Sequence, residues 1–178
     1  ENADEFLTKK VELICPALTA EFEKSVKQYV SKELPIFRES LLQEGASWFN
    51  VSYLNSFDHV HTGRDLVVNL AEKCGFSEED TYTIKLLADE VLMNAFLYGN
   101  VEPGKDETSL RVLLGDRGIL VEVQDLAGKQ FDDYPYHFRK ELNRDQLGGL
   151  TIIEAYSDDW QVEVKKDKAT LVTFFKAL

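Results

Sequence analysis

Residues Ile84 to Asn100 read IKLLADEVLMNAFLYGN, and the rest of the chain is read outward from them. Taken as a helix, the stretch is apolar on nearly every side: Ile84, Leu86, Leu87, Ala88, Val91, Leu92, Met93, Ala95, Phe96 and Leu97 leave little room for a solvated face. Such a helix is expected to be covered by other elements over most of its surface. Glu90 and Asn94 interrupt it four residues apart, so their side chains lie one above the other on a single stripe. A carboxylate and an amide there are costly to desolvate unless something pairs with them. Two readings stand. Their oxygens suit a hard cation such as magnesium, or the two side chains bond to each other and to nearby backbone.

Composition narrows the classes. A chain of 178 residues with 44% hydrophobic and 11% aromatic content is expected to fold with a substantial core, as one domain with an extension. Acidic residues number 32 against 20 basic, a formal net charge of −12. That balance gives no broad attraction for nucleic acid or an anionic membrane, so a nucleotide ligand needs a local site. The longest apolar run is far short of a membrane span, and no signal-peptide pattern is present. Cys15 and Cys74 sit in apolar or helical contexts and read as reduced, buried thiols of a cytoplasmic protein. The first residue is not Met, so a trimmed form or part of a longer protein is expected.

Residues 4–44 look helical, punctuated by Pro16 and Pro35. Leu18, Phe22, Val26, Tyr29 and Val30 fall on one face, which needs a partner surface: the rest of this chain, a second copy or an upstream domain. Pro35 permits a fresh helix start and Gly45 fits its end. Trp48 to Leu54 reads as a strand and Asp58 to Cys74 as a helix closed by Gly75. Ser77, followed by Glu78, Glu79 and Asp80, caps the start of the central helix. Gly99 to Thr108 is a polar turn region. Leu110 to Leu114 and Ile119 to Val123 form a hairpin through Gly115-Asp116-Arg117-Gly118, with Asp125 just beyond its second strand. Lys129 to Leu147 is a long stretch of mixed charge, of the kind that often forms a lid. Gly148-Gly149 opens a short helix, Leu150 to Tyr156, and Trp160 to Lys165 and Thr170 to Phe175 look like a second hairpin. The order predicts an α+β two-layer sandwich: a mostly antiparallel sheet with helices on one face.

Three features carry chemistry. Free N–H groups at a glycine-led helix start, here Gly148-Gly149, can bind phosphate. A strand-end carboxylate such as Asp125 can accept a hydrogen bond from an exocyclic amine of the adenine kind. Asn94 can offer oxygen to Mg²⁺ bridging phosphates, and Glu90, one turn earlier, can orient or deprotonate an attacking hydroxyl.

With those residues in view, Asp89-Glu90-Val91-Leu92-Met93-Asn94-Ala95 resembles the N-box of the GHKL (Bergerat-fold) ATPase/kinase superfamily. Tyr98-Gly99-Asn100 resembles the His-Gly-Asn that often follows it. Val121 to Gly128 resembles the first glycine box of that superfamily, and Leu147 to Ile153 the second. The likeness runs from about Trp48 to Leu178 and leaves residues 1–47 outside it as a helical extension. Within the superfamily the chain is most similar to the anti-sigma-factor serine/threonine kinases of bacterial partner-switching systems.

The resemblance implies an ATP-binding domain over residues 48–178 that uses Mg²⁺. It implies Asn94 as the metal ligand, Glu90 as the catalytic base and Asp125 as the partner of the adenine amine. Ala127 and Gly128 belong to the first box, Gly148 and Gly149 start the helix beneath the phosphates, and Thr170 lies near the adenine. It further implies phosphoryl transfer to a serine or threonine of a small antagonist protein, and binding of a sigma factor or other regulator. Intramolecular docking of the extension or a homodimer is expected. Ala127 and Leu147 stand where glycines are common, Lys129 where a small residue is usual, and Tyr98 for the usual His. These departures bear on nucleotide affinity and lid closure, not on the Mg²⁺ and adenine residues. A histidine-kinase reading would need an upstream phosphoacceptor His, and residues 1–47 contain none; His59, His61 and His137 read as surface or packing residues. A non-catalytic partner-binding module, or the ATP-binding end of a larger signalling protein, are the alternative readings.

Overall fold

The computed structural model describes residues 31–54, 56–99, 106–125, 149–164 and 169–178. The apolar stripe from Leu18 to Val30, the segment Lys129 to Leu147, and Ala127, Gly128 and Gly148 lie outside the described residues.

In chain order the elements are α1 (Leu34–Gln43), β1 (Ser47–Leu54), α2 (Phe57–Lys73), α3 (Glu78–Tyr98), β2 (Glu107–Gly115), β3 (Gly118–Asp125), α4 (Gly149–Tyr156), β4 (Asp159–Val164) and β5 (Thr170–Ala177). Local chemistry explains their ends. The Ser77 hydroxyl accepts from the Asp80 amide at 3.0 Å, and Glu78, Glu79 and Asp80 fill the first turn of α3, where the helix dipole favours negative charge. Gly45 and Gly75 follow α1 and α2 at φ values of 86° and 85°, a left-handed geometry that glycine adopts without strain.

The strands form one open antiparallel sheet in the order β1-β2-β3-β5-β4. Gly115 pairs with Gly118, leaving Asp116 and Arg117 as a two-residue hairpin turn. That pairing sets the register of the whole hairpin, up to Thr108 opposite Asp125.

Strand alternation sends Leu110, Val112, Val121, Val123, Val162, Val172 and Phe174 to one face of the sheet. There they meet Val67 of α2, Ile84, Leu87 and Leu92 of α3, and Ile153 of α4 in one buried cluster. Three helices thus cover one face, as the sandwich requires. The opposite face carries a feature the element order does not show. Leu113, Leu120 and Phe175 pack there against Leu34 and Leu41 of α1, and Phe37 stacks on Phe175 with ring centroids 4.4 Å apart. Beside this patch Glu122, whose side chain is 3% exposed, pairs with Arg38 of α1 and with Arg111 of β2. Among the described residues no helix is long and apolar enough to cross a membrane.

Candidate functional site

The central helix α3 presents different residues to its two flanks. Asp89 and Glu90 are adjacent, and so point about 100° apart. Asp89 faces α2, where its carboxylate lies 3.5 Å from the Arg64 guanidinium. Burial raises the Asp89 carboxyl above its usual value, while Arg64 and Lys85 pull it back. Glu90 is 8% exposed and faces the start of α4. A methyl placed on Gly149 would lie 2.8 Å from Glu90 Oε2, and 2.9 Å and 3.1 Å from the two amide atoms of Asn94. The helix start therefore rests directly on the Glu90/Asn94 stripe, and a side chain there would have to push those two side-chain ends aside.

One turn beyond Asn94, α3 meets the sheet. A methyl on Gly99 would lie 2.3 Å from Asp125 Cβ and 2.6 Å from the Ala95 carbonyl oxygen. The Gly99 backbone thus sits against the carboxylate-bearing residue at the end of β3. Asp125, 7% exposed, is held from the other side: the Thr170 amide donates to its Oδ1 at 3.2 Å. Thr170, at the start of β5, is itself 8% exposed. Two groups result, Glu90–Asn94–Gly149 and Gly99–Asp125–Thr170, both attached to α3. Asn94 and Gly99 are separated by about 7.5 Å along the helix axis.

The structure thus draws the described residues singled out from the sequence to one side of α3 and one end of the sheet. It adds two that sequence reading passed over. Thr108 pairs with Asp125 across the hairpin and Tyr53 pairs with Thr108, both on the helix-facing side. Counting back from the Gly115–Gly118 turn would have placed Thr108 opposite Asp125; Tyr53 required the partner strand. Both hydroxyl oxygens are buried without a hydrogen-bond partner among the described residues. Burial also pushes the Tyr53 phenol well above its usual range.

Asn94 fits a Mg–phosphate centre by its chemistry. No group of three or more His, Cys, Asp or Glu side chains suited to a metal occurs among the described residues. Mg²⁺ bound with a nucleotide needs none, because it takes one or two protein oxygens and completes its shell with phosphates and water.

Backbone N–H groups at a glycine-led helix start and a buried carboxylate at a strand end suit the phosphates and base amine of a nucleotide. The family model described as histidine kinase-like ATPase domain matches residues 55–176, more than half of the chain. The chain belongs to that family, and the GHKL membership expected from the N-box holds. Among solved structures, a chain of the SiaB–SiaC complex from Pseudomonas aeruginosa is similar at a TM-score of 0.57 and 14% identity, over 80% of this chain and 96% of that one. Likeness at that identity concerns the fold. No curated protein matches.

Proposed function

We propose that the protein binds Mg-ATP along α3 and transfers the γ-phosphoryl group to a serine or threonine of an antagonist protein. Binding of a sigma factor or similar regulator is the second part of the proposal, and the fold it shares with a chain of the SiaB–SiaC complex supports a protein partner. The ATP-binding unit is residues 48–178, with residues 1–47 as a helical extension. The observation that carries the reading is the contact of Gly149 with both Glu90 and Asn94 on a helix whose next turn abuts Asp125.

Each residue then has a task. Asp125, an acceptor only, takes a hydrogen bond from the adenine amine, and the Thr170 amide fixes its orientation. The bare backbone at Gly149 lets phosphate oxygens approach the free N–H groups at the start of α4. Asn94 Oδ1 would hold the metal, which would supply charge neutralisation for the phosphates. Glu90 accepts the proton of the substrate hydroxyl. The hydroxyl oxygen forms a bond to the γ-phosphorus as the bond to the β–γ bridging oxygen breaks, and ADP leaves with that electron pair.

Calorimetric titration of the full chain with Mg-ATP, followed by phosphotransfer to a cognate antagonist, tests the proposal. Asp125→Ala is expected to weaken nucleotide binding by about 1–3 kcal/mol. Glu90→Gln is expected to keep binding and lose about 10²–10⁴-fold in transfer rate, whereas Asn94→Ala weakens Mg-ATP itself. No heat at millimolar Mg-ATP would overturn the nucleotide reading and leave a partner-binding module. Transfer by Glu90→Gln at the wild-type rate would remove the base.

A further inference from the structure

The rung of the sheet that ends at Asp125 is polar across its width on the helix-facing side. Tyr53 pairs with Thr108, Thr108 with Asp125, and the Thr170 amide reaches Asp125 from the next strand. A row of this kind in a core otherwise built of Val, Ile, Leu and Phe is costly unless its groups find partners. Asp125 has the Thr170 amide. Thr108, 1% exposed, has no such partner: its Oγ1 is buried without a hydrogen-bond partner among the described residues. The Tyr53 hydroxyl is also unpaired among the described residues, but a methyl on Gly63 would lie 3.1 Å from it, so it is wedged against α2.

We infer that Thr108 is a second base-reading residue, whose hydroxyl donates to a ring nitrogen of adenine beside the carbon that bears the amine. The inference rests on the proposed nucleotide site and names a specificity element of it. The edge of adenine alternates donor and acceptor, the amine N–H being flanked by acceptor ring nitrogens. Asp125 is an acceptor only and matches the amine. Reading the next atom along that edge takes a donor placed beside Asp125. Directly opposed residues on paired strands have Cβ atoms about 4.5–5.5 Å apart, and a threonine hydroxyl rotates to suit its partner. Thr108 occupies that place, its side chain is fixed by burial, and its proton is uncommitted. The opposite flank of Asp125 is occupied by Thr170. A purine seated on Asp125 thus meets one hydroxyl-bearing neighbour on each side. A base that presents a carbonyl in place of the amine would set an acceptor against the Asp125 carboxylate and leave Thr108 without its acceptor in register.

Thr108→Val and Thr108→Ser in the full chain separate this role from simple packing. Valine keeps the shape and removes the hydroxyl; serine keeps the hydroxyl and removes the methyl. Removing an unpaired buried hydroxyl relieves a desolvation cost, so Thr108→Val is expected to unfold at the wild-type temperature or above. Its affinity for Mg-ATP is nonetheless expected to fall about 3- to 10-fold, the worth of one neutral hydrogen bond, while Thr108→Ser stays within about 2-fold of wild type. The Thr108→Val penalty should vanish with 1-deaza-ATP, which lacks the nitrogen that is read, and persist with 7-deaza-ATP. Equal Mg-ATP affinity of wild type and Thr108→Val overturns the inference alone and leaves the site intact. So does a loss that is as large in Thr108→Ser, or that persists with 1-deaza-ATP. A wild-type chain that binds no Mg-ATP removes the proposed function, and this inference with it.

Discussion

Gly99→Ala sets two physical effects against each other with opposite sign. Gly99 follows α3 with φ −79° and ψ 0°, a conformation any residue adopts. Backbone propensity alone therefore favours alanine, by about 0.4–1 kcal/mol through the unfolded chain. Packing says the reverse. The new methyl would lie 2.3 Å from Asp125 Cβ, 2.7 Å from its Cγ and 2.6 Å from the Ala95 carbonyl oxygen. Carbon atoms in contact prefer about 3.5–4.0 Å, so the pair must separate by about 1 Å or more. The obstacles are a backbone oxygen of α3 and the first side-chain carbon of Asp125, neither of which swings aside freely. Overpacking of this kind costs about 1–3 kcal/mol. Set against the backbone gain, this leaves a net cost of up to about 2.6 kcal/mol. For a chain of this size each kcal/mol moves Tm by about 2–4 °C, so Tm is expected to fall by up to about 10 °C in differential scanning calorimetry. Displacing Asp125 also moves the acceptor that the adenine amine meets, so Mg-ATP affinity is expected to fall about 10-fold or more. A Gly99→Ala protein that melts at or above the wild-type temperature and binds Mg-ATP normally would refute the reasoning, because helix propensity would then have decided the outcome.

Other outcomes follow from the same contacts. Gly149→Ala meets only the ends of the Glu90 and Asn94 side chains, which can swing away, so stability should stay within about 1 kcal/mol while Mg-ATP binding falls; a Tm drop of more than about 5 °C in the melt would show that α4 itself is displaced. Glu122→Ala leaves Arg38 and Arg111 without their shared carboxylate and should cost about 1–3 kcal/mol in urea unfolding. This is less than for a fully buried pair, because the guanidinium-bearing side chains are 36% and 45% exposed; an unchanged midpoint would mean that the pair contributes nothing. Tyr53 is an acid whose pKa burial raises above its ordinary 10.0, so its contribution is whole below that value and is lost as pH rises past it, when the unfolded chain can ionise and the folded one cannot. Wild type should thus lose more stability than Tyr53→Phe between about pH 9 and 11.5, and parallel stability curves would contradict this. Burial, with the Asp116 carboxylate adding to it, raises the Cys74 thiol, so its alkylation near pH 7.5, followed by peptide mapping, should be slower than that of a free cysteine thiol.

The sequence by itself determined what depends on near neighbours. Period and punctuation placed all nine elements among the described residues, from Pro35 at the start of α1 to the hairpin of β4 and β5, with boundaries off by a few residues at most. The four-residue spacing of Glu90 and Asn94 put them on one stripe before any partner was known. Hydrogen-bonded strand ends ran further than their apolar cores suggested: β2 begins at Glu107 and β3 continues to Asp125, because pairing across the hairpin outlasts the apolar pattern.

What only the tertiary structure decided is which surfaces meet. An apolar stripe says that something must cover it, and says nothing of what. So the packing of α1 on the far face of the sheet, through Leu34, Leu41 and Phe37, was not readable from its spacing. Nor was the pairing of Glu122 with Arg38, which lies 84 residues away in the chain. The glycines show the same division. At Gly45 and Gly75 a positive φ explains the residue from the local chain. At Gly99 and Gly149 the backbone tolerates any residue or carries no positive φ, and the requirement comes from Asp125, Glu90 and Asn94 pressed against them. A constraint of that kind exists only once distant segments have been packed within a carbon's radius of each other.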